Sequence, residues 1–199
     1  TLVVPTQFSA AAVDAGPIGY WRLDETTGRT AYDLWGGRDG TVDSTVTNGV
    51  AGPRPTGFKG FEAGNLAYDF NGGSEVDIPA LNLNKATMTI VAWIKPNGTP
   101  DDYDGIVFSR GGGTVAGLDF QKGGQLGYHW NDTADTYNWS SELIPAQDAW
   151  NFVALVVDRH NSRRRTQVIA EATVLQPLPR RRTTDFTELT VAVTRNATI

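Results

Sequence analysis

The densest group of side chains suited to recognising a sugar lies in residues 128–139, where aromatic rings stand among amides and carboxylates. An aromatic ring can stack on the C–H face of a sugar while nearby polar groups bind its hydroxyls. The sequence predicts ligand contacts at His129, Asn131, Asp132, Tyr137, Asn138 and Trp139. A structural role is the alternative: Tyr128 and Trp130 alternate with His129, which would turn both rings into a core, with Trp139 covering an edge.

The chain lacks the residues that most catalytic mechanisms require. The chain has no cysteine and only two histidines, which excludes disulfides, thiol catalysis and a multi-histidine metal centre. Neither histidine lies in a nucleophile-triad motif. We interpret residues 101–104 as a solvated acidic loop, and Glu75 and Asp77, which alternate with Val76 and Ile78, as an exposed strand face. The sequence therefore predicts no enzyme.

The charge and hydropathy of the chain limit the classes of partner that it can bind. The net charge is -5, whereas a nucleic-acid partner would require a basic face. No apolar run approaches the roughly 20 residues of a membrane helix, so we expect no membrane insertion. Because Thr1 is not an initiator and no signal peptide precedes it, we interpret the chain as a mature piece or an excised domain.

The elements that would position these groups are mostly strands. Residues 9–16 predict one or two helical turns, capped by Ser9 and ended by Gly16. Beyond them, short alternating runs are separated by glycine, proline and asparagine, which is typical of strands joined by tight turns. Strands are predicted near residues 19–24, 66–71, 74–79, 87–94, 105–110, 117–121, 125–130 and 150–158. Such a series predicts an all-β, two-layer antiparallel jelly-roll sandwich.

The composition changes after Asp158. Residues 159–199 contain none of the 22 glycines but eight of the 17 basic residues, all arginine, against three acidic residues. We therefore divide the chain into a sandwich, 1–158, and an atypical tail, 159–199. The tail is interpreted either as an arginine-rich sheet edge or as a break in the sequence. Its residues 186–193 alternate, which predicts one strand there, whereas 159–182 are expected to be irregular.

The motifs resemble one family in their order along residues 17–158. The opening run of residues 20–33, which begins Tyr20-Trp21-Arg22-Leu23-Asp24-Glu25, resembles the first signature of laminin-G-like domains of the concanavalin A-like lectin/glucanase type. Residues 68–72, 89–96 and 150–158 resemble the family's later turn and two strands. Residues 49–53 resemble versions found in large exported bacterial surface proteins. After Asp158 the resemblance stops, because the family's closing Gly-x-Ile-Asp-Glu-Val strand is missing, which would leave an open edge beside residues 20–24.

The resemblance implies further expectations. Many relatives bind calcium, and the oxygen ligands available here are Glu25, Asp33, Asp69 and Asn71. The alternative is that Asp33 caps a turn and Asn71 adopts a left-handed turn conformation. The glycosidases of this fold carry Glu-x-Asp-x-x-Glu, which supplies the two carboxylates of a retaining mechanism, and this chain lacks it. We assign Trp21, Trp93 and Trp150 to packing at family core positions.

These observations predict an extracellular or cell-surface, non-catalytic recognition or adhesion module, with a glycan or another surface protein as partner. Two alternatives remain: a structural spacer domain of a large surface protein, and an ancillary carbohydrate-binding domain of a glycosidase. Fold alone does not choose among them.

Overall fold

The computed structural model describes most of the N-terminal 158 residues and the backbone of short stretches beyond them. The described ranges are 7–81, 83–85, 87–109, 116–130, 139–158, 164–169, 176–178, 184–186, 189–192 and 197–198. Within these ranges the backbone alone is described for 83–85, 87, 116, 129, 130, 139, 157, 158 and everything after them.

One helix, α1 (Gln7–Asp14), opens the described chain. It ends where predicted, since Gly16 has a left-handed φ of 63° and its amide bonds back to the Val13 carbonyl. The predicted N-cap is wrong: Ser9 lies inside the helix, which begins two residues earlier, and its hydroxyl bonds to the Tyr20 hydroxyl at 3.2 Å. No helix in the described part of the chain has the length and apolar character needed to cross a membrane.

Twelve strands follow up to Asp158: β1 (Thr30–Ala31), β2 (Gly40–Val42), β3 (Thr47–Ala51), β4 (Leu66–Phe70), β5 (Glu75–Ile78), β6 (Leu83–Lys85), β7 (Thr87–Pro96), β8 (Gly105–Ser109), β9 (Ala116–Gln121), β10 (Gln125–Trp130), β11 (Trp139–Ser140) and β12 (Asn151–Asp158). Five short strands come after them: β13 (Arg164–Ile169), β14 (Gln176–Leu178), β15 (Thr184–Phe186), β16 (Leu189–Ala192) and β17 (Ala197–Thr198).

The strands form two large antiparallel sheets. One has eight strands in the order β1-β2-β5-β16-β8-β9-β10-β11, and the other seven in the order β14-β13-β12-β7-β17-β4-β3. A separate pair joins β15 to β6. Buried side chains of both large sheets share one apolar cluster, so the sheets pack face to face. The predicted all-β, two-layer jelly-roll sandwich is confirmed.

Period-two alternation decides which side chains enter the core. In β7, Ile94 is fully buried, whereas Val91 on the opposite face is 54% exposed. Phe120 of β9 and Leu126 of β10 face each other across their ladder, and both are buried as predicted. In β5, Val76 and Ile78 are buried and Asp77 is exposed, which confirms the predicted outward acidic face.

The predicted strand at residues 19–24 does not form. Trp21 makes one isolated bridge to Asp33, and Leu23 has a φ of 55°, a left-handed conformation that interrupts extended backbone. Trp21 still packs against the core, as expected. Trp93, predicted to be buried in the core, is half-buried on the outer face of β7, where Phe8, Phe58, Phe61 and Phe152 surround its ring.

The tail contributes more regular backbone than predicted. Five strands form instead of one, and β13 and β14 occupy parts of 159–182 expected to be irregular. β13 pairs with β12 from Arg165 to Ile169 and β14 forms the edge beyond it. Backbone pairing needs no particular side chain, and a strand near a sheet edge tolerates charged residues, so arginine content did not prevent it. The expected strand within 186–193 is β16, which lies between β5 and β8.

A pair of substitutions in β7 tests this core. Ile94→Ala should lower the free energy of unfolding by about 2–5 kcal/mol, because it removes buried methyl groups and leaves a cavity. Val91→Ala, three residues earlier on the exposed face, is the matched control and should cost less than about 1 kcal/mol. Urea unfolding of both variants measures this difference, and equal losses would contradict the assignment of faces.

Candidate functional site

The carboxylate of Asp33 organises an irregular loop at one edge of the eight-stranded sheet, the Trp35 loop (residues 32–38). Its Oδ1 accepts hydrogen bonds from the backbone amides of Tyr20, Trp35 and Gly36 at 2.8, 3.1 and 3.0 Å. Its Oδ2 accepts a fourth from the Arg38 amide at 3.0 Å. One buried carboxylate therefore satisfies four amides that have no strand partner, and it holds the loop in a single shape.

These bonds also set the charge state of Asp33. Burial by itself would raise the pKa of Asp33, but the hydrogen bonds from the Tyr20, Gly36, Arg38 and Trp35 amides outweigh burial and lower this pKa below its ordinary 3.8. The carboxylate is thus ionised through the neutral and mildly acidic range. The alternative interpretation from the sequence, that Asp33 caps a turn, agrees with this arrangement.

Two further contacts fasten the loop to the sandwich. The Trp21 indole Nε1, on a ring packed against the core, donates to the Arg38 carbonyl at 2.9 Å. The Asp33 amide donates to Asp39 Oδ1 at 2.9 Å. Gly36 permits the tight path, because a Cβ there would come within 2.6 Å of Asp33 Oδ2.

The fixed loop holds large apolar side chains in water. Tyr32, Leu34 and Trp35 are each about half exposed, Trp35 at 50%, and Ile18 of the adjoining segment is 44% exposed. Leu34 is tied to this segment through its amide, which donates to the Tyr20 carbonyl at 2.9 Å. Apolar side chains gathered at one place on a rigid loop are a feature of binding surfaces.

Polar groups border these rings. The Arg38 guanidinium approaches the Ile18 carbonyl at 3.4 Å, near the limit of a hydrogen bond. Glu25 accepts the Tyr32 amide at 2.8 Å with Oε1 and the Tyr68 hydroxyl at 2.6 Å with Oε2. Burial and this carboxylate raise the pKa of Tyr68. The phenol therefore stays protonated and donates its hydrogen bond to Glu25.

The structure describes all four residues that the sequence predicts to bind calcium. Glu25 and Asp33 accept the amides described above, and Asp69 lies in β4. Asn71 lies in the turn after β4, but the predicted left-handed conformation is wrong: Gly73 has the positive φ, 85°, because a residue without Cβ adopts it at no cost. The described residues contain no group of three or more acidic or histidine side chains arranged to hold a metal ion. Calcium binding stays a prediction.

The predicted ligand-contact residues fall largely outside the described part of the chain. Asn131, Asp132, Tyr137 and Asn138 lie outside the described residues altogether. His129 and Trp139 are described by backbone alone, in β10 and β11, where Tyr128 pairs with Trp139. Tyr128 is buried in the core, as the structural alternative expected. Ligand contact by these six residues stays a prediction.

Polar side chains lie on the outer face of the sheet next to that segment. Leu118 and Phe120 of β9 enter the core, so Asp119 and Gln121, which alternate with them, face outwards, yet both are buried. The Gln121 amide donates to both Asp119 oxygens at 2.9 and 2.8 Å. Ser140 of β11 donates to Gln125 of β10. Amide, carboxylate and hydroxyl groups thus lie on β9, β10 and β11.

One acidic segment differs from its prediction. Residues 101–104 were expected to form a solvated loop, but Asp104 is buried and its Oδ2 accepts the Asp101 amide at 2.9 Å. Its carbonyl accepts the Phe120 amide at 2.8 Å. Asp104 therefore closes a turn onto β9, because a short aspartate can bond to the backbone of its own loop, while Asp101 and Asp102 are exposed.

The exposed apolar side chains of the Trp35 loop were not singled out from the sequence. Tyr32 belonged to the run that resembles the family's opening signature, Asp33 was also a candidate calcium ligand, and Leu34 and Trp35 were assigned no role. A usable signal was present, because Leu34-Trp35 stands directly before Gly36-Gly37, and large apolar residues in a glycine turn have little core to enter.

Replacement of Asp33 tests its role. Asp33→Asn can keep the three bonds at Oδ1 but turns an amide donor toward the Arg38 N–H, so we expect a loss of about 1–3 kcal/mol in unfolding free energy at neutral pH. Because the folded pKa is lowered, the wild-type advantage should be full above pH about 4 and disappear as pH falls through the folded pKa.

Asp43→Asn is the matched control, since Asp43 also accepts a loop amide, from Thr45 at 2.8 Å, but in an exposed turn. Thermal unfolding of the three proteins between acidic and neutral pH gives the comparison. A pH-independent deficit for Asp33→Asn, or an equal deficit for the control, would contradict the assigned role.

Comparison with solved structures finds the same fold in much larger chains. Trypanosoma rangeli sialidase in complex with sialic acid matches with a TM-score of 0.57 at 14% identity, over 90% of this chain and 29% of that chain. A mutant of Trypanosoma rangeli sialidase displaying trans-sialidase activity matches with a TM-score of 0.52 at 16% identity, over 98% of this chain and 33% of that one. The present chain thus spans about a third of the sialidase chains or less, and the likeness concerns the fold.

No curated protein sequence matches the chain. Residues 70–168, however, match the model of a laminin G family described as Concanavalin A-like lectin/glucanases superfamily. The match begins within the second predicted motif and continues past Asp158 into β13. The resemblance to the concanavalin A-like lectin/glucanase type that the sequence predicts is confirmed over these residues.

Proposed function

We propose that this protein is a non-catalytic carbohydrate-binding module that acts outside the cell as a recognition or adhesion domain. The observation that carries the proposal is the Trp35 loop, which holds Tyr32 and Trp35 half exposed on backbone fixed by the four amide bonds of Asp33. The family match and the sialidase likeness support a carbohydrate as the ligand class.

The Trp35 loop is preorganised for binding. An aromatic ring has few rotatable bonds, so binding through it costs little side-chain entropy. The loop backbone is already immobilised by Asp33 and by the Trp21–Arg38 contact, so ligand binding need not order it. The ring faces suit the C–H surface of a sugar, and Arg38 and Asp39 at the loop's end supply a hydrogen-bond donor and an acceptor for hydroxyls.

The segment 129–139 is a second proposed contact surface. Its two described ends lie in β10 and β11, and β11 is the outermost strand at the opposite edge of the eight-stranded sheet from β1. The polar side chains of Gln125 and Ser140 next to it support the proposal. The two surfaces are distinguishable because each contains its own tryptophan, Trp35 and Trp139.

The ancillary domain of a glycosidase is the alternative that a specific observation favours. The sialidase chains are about three times as long as the part of them that this fold covers. A module of this kind would supply binding, while another domain would supply the reaction. A spacer domain without a ligand is the remaining alternative, and it offers no reason for apolar rings on a fixed loop.

Binding to a glycan array, followed by calorimetry on the best ligand, tests the proposed surface. Trp35→Ala should weaken binding about tenfold, the equivalent of roughly 1.4 kcal/mol, because it removes one stacking ring. Leu34→Ala is the matched control: it removes an equally exposed apolar side chain from the same loop without removing a ring, and binding should change less than about threefold.

A further control is Tyr103→Ala, which removes an exposed ring outside the loop. If Trp139→Ala abolishes binding and Trp35→Ala leaves it intact, the site is the 129–139 segment and the Trp35 loop is not the platform. If no glycan binds above background, the carbohydrate proposal is wrong, and the result favours a spacer domain without a ligand.

The purified protein should release no reducing sugar from polysaccharides or sialylated glycans. The outward carboxylate of Asp119 is held by Gln121, and the Glu-x-Asp-x-x-Glu motif is missing from the chain. A reducing-end assay and a sialic-acid release assay give the measurement. Activity that disappears on replacing one aspartate or glutamate would show that the module is an enzyme.

A further inference from the structure

The seven-stranded sheet contains a slot between β4 and β7. β17 separates these two strands, but it pairs only with Lys95 and Pro96 of β7 and with Asp69 and Phe70 of β4. Among the described residues, no strand pairs with the same edge of β7 from Thr87 to Ile94, or with the same edge of β4 from Leu66 to Tyr68. Both edges present backbone donors and acceptors to the space between them.

A cavity of about 850 Å³ occupies this space. Side chains from both faces of β7 line it: Ile90 and Ala92 belong to the core face, whereas Val91 and Trp93 belong to the outer face. Leu66 of β4 lines the opposite side. Since alternate residues of one strand point to opposite faces, a cavity touching both faces passes through the sheet and does not lie merely above it.

The direction of β17 shows how the slot would be filled. β17 runs antiparallel to both β4 and β7, and from Ala197 to Thr198 its partners step from Pro96 to Lys95 and from Phe70 to Asp69. A strand collinear with β17 would therefore meet Ile94 and then the earlier residues of β7, and Tyr68 and then the earlier residues of β4. Its backbone would pair on both sides, because one strand fits between two others about 9–10 Å apart.

We propose that this slot binds an extended peptide strand with alternating apolar residues, inserted between β4 and β7 as an added strand. Its inward side chains would meet the apolar core, where Met88, Ile90 and Ala92 are only partly buried. Its other side chains would meet Val91, which is 54% exposed, and the rings beside α1. Peptide addition to an unpaired strand is a general mode of recognition, with affinity from the backbone and specificity from alternate side chains.

A buried donor favours a peptide over a purely apolar molecule. Trp93 lines the same cavity. Its indole Nε1 is buried and has no hydrogen-bond partner among the described residues. A hydrocarbon ligand would leave this donor and the strand edges unsatisfied, at a cost of about 1–3 kcal/mol for each buried group. An extended peptide brings one carbonyl acceptor per residue.

Amide hydrogen exchange measured by NMR on the full chain tests the proposal. Alternate amides of β7 point to β12 and should exchange slowly, whereas the others between Thr87 and Ile94 point to the slot and should exchange quickly. The probe is a synthetic eight-residue peptide of alternating valine and threonine with a lysine at each end. Its addition should slow the slot-facing amides at least tenfold. The control peptide has proline at each threonine position and should have no effect, because proline lacks the backbone donor.

A substitution pair measures specificity. Val91→Lys places a charge at the outer side of the slot and should weaken peptide binding at least tenfold. Ile144→Lys changes an equally exposed aliphatic residue that does not line the cavity, and it should bind as the wild type does. Slot-facing amides that are already slow in the free protein, or that ignore the peptide, would overturn the proposal. Protection that rises with protein concentration alone would assign the slot to a second copy of the chain and would also overturn it.

Discussion

The ladder between β7 and β12 is the constraint on which the rest of the sandwich depends. It runs through eight consecutive antiparallel pairs from Thr87–Asp158 to Ile94–Asn151. Ile94, Val153 and Leu155 project from it into the core without exposure. Every backbone group inside such a sheet must find a partner, so this ladder sets the register of the layer. The side chains that it buries provide the apolar surface against which the eight-stranded sheet packs.

A similar rule explains the Trp35 loop, where the chain leaves the sheets. The amides of Tyr20, Trp35, Gly36 and Arg38 have no ladder to join, and the carboxylate of Asp33 accepts all four. Because the anion is a stronger acceptor than a neutral group, a single side chain can hold a seven-residue loop. The exposure of Tyr32 and Trp35 follows from this local bonding, and the core has no part in it.

In the slot between β4 and β7, the backbone pairing of the seven-stranded sheet is incomplete among the described residues. β12 pairs with one edge of β7 from Thr87 to Ile94, while on the other edge the described strands pair with Lys95 and Pro96 alone, through β17. An unpaired interior edge is unusual, since sheets normally cover or pair such backbone. Tyr20, Trp21 and Leu23, from the segment that does not form its predicted strand, line the same cavity.

The sequence by itself determined the sandwich, because period-two alternation in runs such as 118–121 and 125–128 reports which side chains are buried regardless of where the strand lies. It could not determine the pairing of the tail or the failure of residues 19–24 to form a strand, since both depend on partners distant in the chain. Nor could it show that Asp33 accepts four backbone amides. The residue types are visible in the sequence, but these amides come together only when Tyr20 and Arg38 meet in the tertiary structure.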